Sequence, residues 1–231
     1  MAESIHGSVI TALNEEAVVN AALGNKGGLN LVVSYEAFAM KMIGALRQEI
    51  IFARHQKALG RPPGWLSVPV IATSHLWENG KNEQSHQDSA FGEVLLGEMS
   101  DMARVVYPAD ANSAVACLDA CYQTQGQIWG MTIPKNDVVT VFTPKQAAQL
   151  AEQGALTLDK ADGAQVQLVA VGAYQLGVCQ EVKRTLSKQG IQCHITYLLE
   201  PGRFRQPRDP YEQTYVCDVA TRTSLFPDDI R

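Results

Sequence analysis

The sequence predicts an α/β fold: a parallel sheet with helices on both faces, followed by a partial second α/β domain. Short apolar runs at Leu29 to Val33, Val68 to Thr73, Ala103 to Tyr107 and Ile128 to Ile133 alternate with segments of helical spacing. Strands alternating with helices pair in parallel through crossovers. A polar stretch, Thr73 to Asp88, directly follows the second run, and Arg104 to Asn112 carries a strand straight into a helix. Polar clusters just past strand ends are where α/β proteins hold ligands. A new unit opens at Val166, with strand Val166 to Val171, helix Gln175 to Lys188 and strand Cys193 to Leu198. One βαβ module needs further strands to make a sheet of its own.

Each element has a local signal. Asn14-Glu15-Glu16 opens a short helix that ends at Gly24, with Gly27-Gly28 in the turn beyond. Ser34 caps a long helix from Tyr35 to Leu59, on which Phe38, Met42, Leu46, Ile50 and Ala53 keep helical spacing. Gly60 stops it, and Pro62-Pro63-Gly64 is a loop. Helices follow near Phe91 to Met99 and Asn112 to Gln123, and Val138 to Phe142 reads as another short strand. Thr143 to Gly163 reads as a connecting helix and turn, and the Pro-, Arg- and Asp-rich tail holds a helix only near Tyr211 to Ala220. The expected division is residues 1–142, a linker at 143–163, and a partial domain at 164–231.

Composition narrows the function. The chain has 231 residues, 46% hydrophobic and 19% charged, with net charge -5. An acidic balance lacks the basic face that nucleic acid requires. No apolar run approaches the roughly 20 residues of a membrane span, and Met1 to His6 lacks a signal-peptide pattern, so the expected location is cytoplasmic. The five cysteines suggest reduced thiols. Cys117 and Cys121 share a helix face, but no second Cys/His pair completes a metal set, which favours small buried hydrophobes. Gly24-Asn25-Lys26-Gly27-Gly28 lacks phosphate-loop spacing and reads as a turn.

Four motifs carry the functional reading: Leu13-Asn14-Glu15-Glu16, Ser34-Tyr35-Glu36-Ala37-Phe38, Thr73 to Asp88 with its Ser85-His86-Gln87-Asp88 end, and Pro108-Ala109-Asp110-Ala111-Asn112. Together, from Leu13 to Lys135, they resemble the pyrimidine-binding domain of thiamine-diphosphate ketol-transfer enzymes, the phosphoketolases more than the transketolases. The unit from Val166 resembles the start of the usual third domain. In this cofactor a carboxylate against the aminopyrimidine ring nitrogen promotes the tautomer that activates the coenzyme. Taken alone, Glu15 reads as a solvated acid in a helix's first turn; the resemblance places that carboxylate at Glu15. Tyr35 is implied to pack against the flat ring, and Phe38 either joins it or belongs to the core.

The resemblance further implies that His75, His86 and Gln87 meet substrate hydroxyls or phosphate, that Asn82 donates to the oxygen on the attacked carbon, and that Lys135 meets the substrate phosphate. Singly, each histidine reads as a structural hydrogen bonder and Lys135 as an exposed turn residue. Glu16 and Lys81 stand where the family carries histidines, and Lys81 keeps two chemistries open: two-carbon ketol cleavage or transfer, and a sugar-phosphate isomerisation or epimerisation with the same cofactor. A non-catalytic scaffold for a ketol-transfer enzyme is the third reading. The Gly-Asp-Gly element that clamps the diphosphate and Mg2+ in this enzyme class is missing; Asp162-Gly163 follows an alanine. The chain is thus expected to hold the pyrimidine half of thiamine diphosphate, with Mg2+ held by a second subunit or missing domain, in an oligomer acting on ketose phosphates.

Overall fold

The computed structural model describes residues 7–73, 90–228 and 230. Four parallel strands, β1 (Val32–Tyr35), β2 (Val68–Thr73), β3 (Ala103–Val106) and β4 (Ile128–Thr132), form a sheet in the order β1-β2-β4-β3. Side chains alternate across it with the two-residue period of a strand. Val32, Val68, Val70, Ala72, Ala103, Val105 and Ile128 pack with α1 (Glu15–Gly24), α2 (Glu36–Ala39), α3 (Ile43–Ala58) and α4 (Ala90–Gly97). Val106, Trp129 and Met131 pack in a second core with α5 (Ala111–Tyr122). Both faces are covered, as expected of an all-parallel sheet. Gly130 lets α4 approach β4, because a Cβ there would lie 2.7 Å from Leu95 Cδ1 and 3.3 Å from the Phe91 ring.

Two expectations are corrected. The long helix from Tyr35 to Leu59 is broken into α2, a 3₁₀ turn at Met40–Met42, and α3. The tightened turn lies against α1 and buries Met42 completely. The strand expected at Val138 to Phe142 does not form. Its amides are taken by a distant carboxylate: Val141 and Phe142 N–H donate to Asp110 Oδ2 at 2.7 and 2.8 Å. The same Asp110 caps α5 by accepting from the Ser113 amide at 2.8 Å.

The remaining elements are α6 (Pro144–Gln153), β5 (Ala155–Asp159), β6 (Val166–Ala170), α7 (Ala173–Ser187) and β7 (Cys193–Leu198), then a 3₁₀ turn, α8 (Pro210–Gln213) and α9 (Val219–Leu225). Strands β5, β7 and β6 form a second sheet in that order, β5 antiparallel to β7 and β6 parallel to it. The βαβ module therefore gains its third strand from the segment read as a connecting helix and turn. Gly154, at φ 80°, ends α6 and turns the chain into β5. Phe142, Leu150, Leu176, Ile195 and Tyr197 share the second core with Trp129 and Cys117, so the two sheets meet across one apolar layer.

Buried charge fixes that meeting. Glu200, fully buried after β7, accepts a bidentate pair from Arg104 of β3 at 2.6 and 2.5 Å, and the Tyr215 hydroxyl as well. The Arg104 guanidinium stacks 3.8 Å from the Trp129 ring centroid. Burial works against the Arg104 charge, but the charge and hydrogen bonds of Glu200 together with Tyr215 outweigh it and hold the guanidinium protonated. Two tail arginines staple the tail to the C-terminal end of α4. Arg205 and Arg208 both pair with buried Glu212 and donate to the carbonyls of Leu96, Gly97 and Glu98.

Arg104→Met leaves Glu200 buried and uncompensated, and should cost about 3–5 kcal/mol, read as a fall in urea midpoint. Arg104→Met combined with Glu200→Gln should recover more than half of that loss. Asp110 gives a pH signature. Burial tends to raise its pKa, but the Phe142 and Ser113 amides, the Ser113 hydroxyl and the Val141 amide outweigh burial and lower it. A depressed folded-state pKa stabilises above the unfolded value of about 3.9 and is lost as pH falls through the folded one. The stability gap between wild type and Asp110→Asn should therefore be constant near neutrality and close below about pH 4, in urea titrations at each pH.

Candidate active site

All four strands of the first sheet point the same way, so their carboxyl ends form one edge. Tyr35 ends β1 opposite Thr73 at the end of β2, and Ala72 pairs with Thr132 at the end of β4. This is where an open parallel sheet presents ligand-binding side chains. Three of the expected residues come together here directly. Lys135 Nζ donates to the Tyr35 hydroxyl at 3.2 Å and lies 4.9 Å from the centroid of its ring. Phe38, one turn into α2, meets Tyr35 edge-on with ring centroids 6.0 Å apart. Tyr35 is 42% exposed, an available aromatic face rather than a core residue.

Glu15 joins them through a residue that sequence reasoning did not single out. Lys41, in the 3₁₀ turn, places its ammonium 5.0 Å from the Phe38 ring centroid and 3.4 Å from Glu15 Oε2. The Glu15 side chain is 18% exposed, and its Oε2 is buried without a hydrogen bond. A carboxylate oxygen held this way is an acceptor kept for a donor. The order is Glu15, Lys41, Phe38, Tyr35, Lys135: a carboxylate at one end, two aromatic rings between two cations. An aminopyrimidine fits this set, since its flat ring suits the aromatic faces and its ring N–H suits the unsatisfied oxygen.

The remaining expected residues, His75, Lys81, Asn82, His86 and Gln87, lie outside the described residues. β2 ends at Thr73 on this edge and α4 starts at Ala90. Tyr107, just past β3, also went unremarked in the sequence. Burial, reinforced by the Glu36 and Glu93 carboxylates, pushes its hydroxyl up to about 12, so it stays a protonated donor at neutral pH. Glu36, the first residue of α2, is only 5% exposed. A buried carboxylate next to the motif tyrosine is invisible to periodicity, which reads a helix-start glutamate as solvated.

Cys117 and Cys121 are buried, and burial pushes both thiols well up from their usual range, which makes them inert packing groups. Among the described residues no three His, Cys, Asp or Glu side chains gather to hold a metal ion, and no helix is long and apolar enough to cross a membrane.

A family model for D-xylulose 5-phosphate/D-fructose 6-phosphate phosphoketolase matches residues 1–124. A probable phosphoketolase of Lactococcus lactis subsp. lactis is 30% identical over 151 residues, covering 64% of this chain and 18% of that protein. Among solved structures, transketolase from Leishmania mexicana superposes with TM-score 0.73 at 14% identity, covering 94% of this chain and 28% of that one. A split-gene transketolase, described as an inactive β4 tetramer, superposes with TM-score 0.56 at 20% identity, covering 80% of this chain and 55% of that one. The chain spans 15–25% of the length of the first curated relatives.

If Tyr35 is a free face, Tyr35→Ala should change stability by at most about 1 kcal/mol, measured by urea unfolding. A larger loss would mark the ring as core.

Proposed function

The chain belongs to the D-xylulose 5-phosphate/D-fructose 6-phosphate phosphoketolase family, and from that premise we propose that it is the pyrimidine-binding portion of a thiamine-diphosphate enzyme that cleaves or transfers a two-carbon ketol unit of a ketose phosphate. The observation that carries this reading is the buried Glu15 oxygen left without a hydrogen bond beside the Tyr35 and Phe38 rings. Bound there, thiamine diphosphate supplies a carbon nucleophile and an electron sink. Glu15 would accept a hydrogen bond from the aminopyrimidine ring N–H and so hold the proton on that nitrogen, Tyr35 and Phe38 would orient the ring, and Lys135 would attract the sugar phosphate. His75, Asn82, His86 and Gln87 take the substrate hydroxyls and the oxygen of the reacting carbon, with Lys81 beside them.

The Mg2+ and diphosphate belong on this reading to a second subunit or a further domain, because the sequence has no Gly-Asp-Gly element. On this reading residues 1–142 are the pyrimidine unit and 164–231 begin a C-terminal domain, which also draws α6 and β5 from the expected linker at 143–163. A similar fold occurring as a subunit of a split transketolase supports an assembly of this kind. Lys81, in place of a family histidine, favours a second reading in which the same cofactor isomerises or epimerises the sugar phosphate.

The test is the complex recovered with this chain from its native source, supplied with thiamine diphosphate, Mg2+ and xylulose 5-phosphate, with inorganic phosphate or an aldose phosphate as acceptor. Glu15→Gln should lower turnover about 10²–10⁴-fold while leaving the assembly intact by sedimentation. Full turnover in that variant would leave the scaffold reading in its place.

A further inference from the structure

The geometry points to Lys41 as a tethered occupant of the Glu15 carboxylate, held there in the ligand-free chain and displaced when an aminopyrimidine ring N–H takes its place. The inference rests on the reading of Glu15 above. Lys41 lies in the 3₁₀ turn that breaks the long helix, and that turn packs on α1, whose first residue is Glu15. The break therefore aims a cation at the carboxylate. The ammonium stands 3.4 Å from the one Glu15 oxygen that is buried without a hydrogen bond. Its other neighbour is the face of Phe38, 5.0 Å from the ring centroid, so the lysine covers the aromatic surface as well as the acceptor.

The pair is built to open. The Lys41 side chain is 61% exposed, and its contact with Glu15 is an ion pair without a hydrogen bond. An exposed pair of this kind holds weakly and is screened by salt. Lys41 is the one charged partner of Glu15 among the described residues, and removing it without supplying another would leave the carboxylate uncompensated, so ring arrival and lysine departure are one exchange. The ring's N–H replaces the ammonium at Oε2, and its plane replaces the lysine stem beside Phe38 and Tyr35. The lysine thereby keeps the carboxylate paired while the site is empty and selects for ligands that bring their own donor. A flat ring without a proton on its nitrogen has nothing to offer the oxygen it uncovers.

The probe is the hydroxymethyl aminopyrimidine that forms half of thiamine, titrated calorimetrically into the full chain at a mildly acidic pH where its ring nitrogen carries a proton. Lys41→Met should tighten binding about two- to five-fold, the range an exposed pair sets. In the wild type, affinity should rise as NaCl goes from about 0.02 to 0.5 M, whereas Lys41→Met should show no such rise. Lys41→Arg, which keeps the charge, should behave as the wild type, and Glu15→Gln should lose the ligand. Equal affinity and equal salt response in wild type and Lys41→Met, with binding still lost in Glu15→Gln, would overturn the displacement and leave the Glu15 reading standing. Binding indifferent to Glu15→Gln, or absent from every variant, would overturn both.

Discussion

The buried Arg104–Glu200 pair is the contact on which the arrangement of the chain depends. Arg104 sits in β3 of the first sheet, and Glu200 follows β7 of the second. Glu200 is fully enclosed and the Arg104 side chain nearly so, which leaves the carboxylate no water to retreat to. They must meet, and meeting fixes the two sheets in one register. The neighbouring backbone repeats the connection, since the Tyr107 amide donates to Leu199 O at 2.9 Å, and the Leu199 and Glu200 amides in turn anchor that segment on Gly154 O. The apolar layer of Trp129, Phe142 and Tyr197 supplies attraction without direction. The ion pair and these bonds supply the direction.

That division of labour positions the candidate site. The carboxyl edge of the first sheet begins where Arg104 ends its task, two or three residues along β3 at Val106 and Tyr107. Next along the chain, Asp110 holds the Val141 and Phe142 amides and the start of α5 with one side chain. The segment that leaves β4 and carries Lys135 is thus tied down at its far end, while Lys135 itself rests on Tyr35. Rigid elements behind the edge leave the aromatic and cationic side chains on it as the movable parts.

The fold was legible wherever one element's own residues decide its structure. Strand Cys193–Leu198 forms as its apolar run indicates, and β2, β3, β4, α5 and α7 fall within two residues of their expected ends. Reading failed where a distant partner decides. Val138 to Phe142 has strand composition, yet a carboxylate some thirty positions earlier takes its amides. Ala155 to Asp159 looked like the end of a turn and becomes a strand because β7 lies beside it. The site divides the same way. Glu15, Tyr35, Phe38 and Lys135 lie in motifs or at element ends that a reader of sequence can find. Lys41 and buried Glu36 depend on how α1 and the broken helix pack, and no local pattern announces that. The polar stretch with His75, Lys81, Asn82, His86 and Gln87 was the strongest signal in the sequence and lies outside the described residues.

Gly130 has a reach beyond its own strand. Leu95 and Phe91, which close over it, are both fully buried and have no space into which to yield. Even a methyl group at that position would press on both side chains and push α4, which begins at Ala90, away from the sheet. Variation at a silent glycine in the middle of β4 would thus be felt in the seating of a whole helix rather than in one strand.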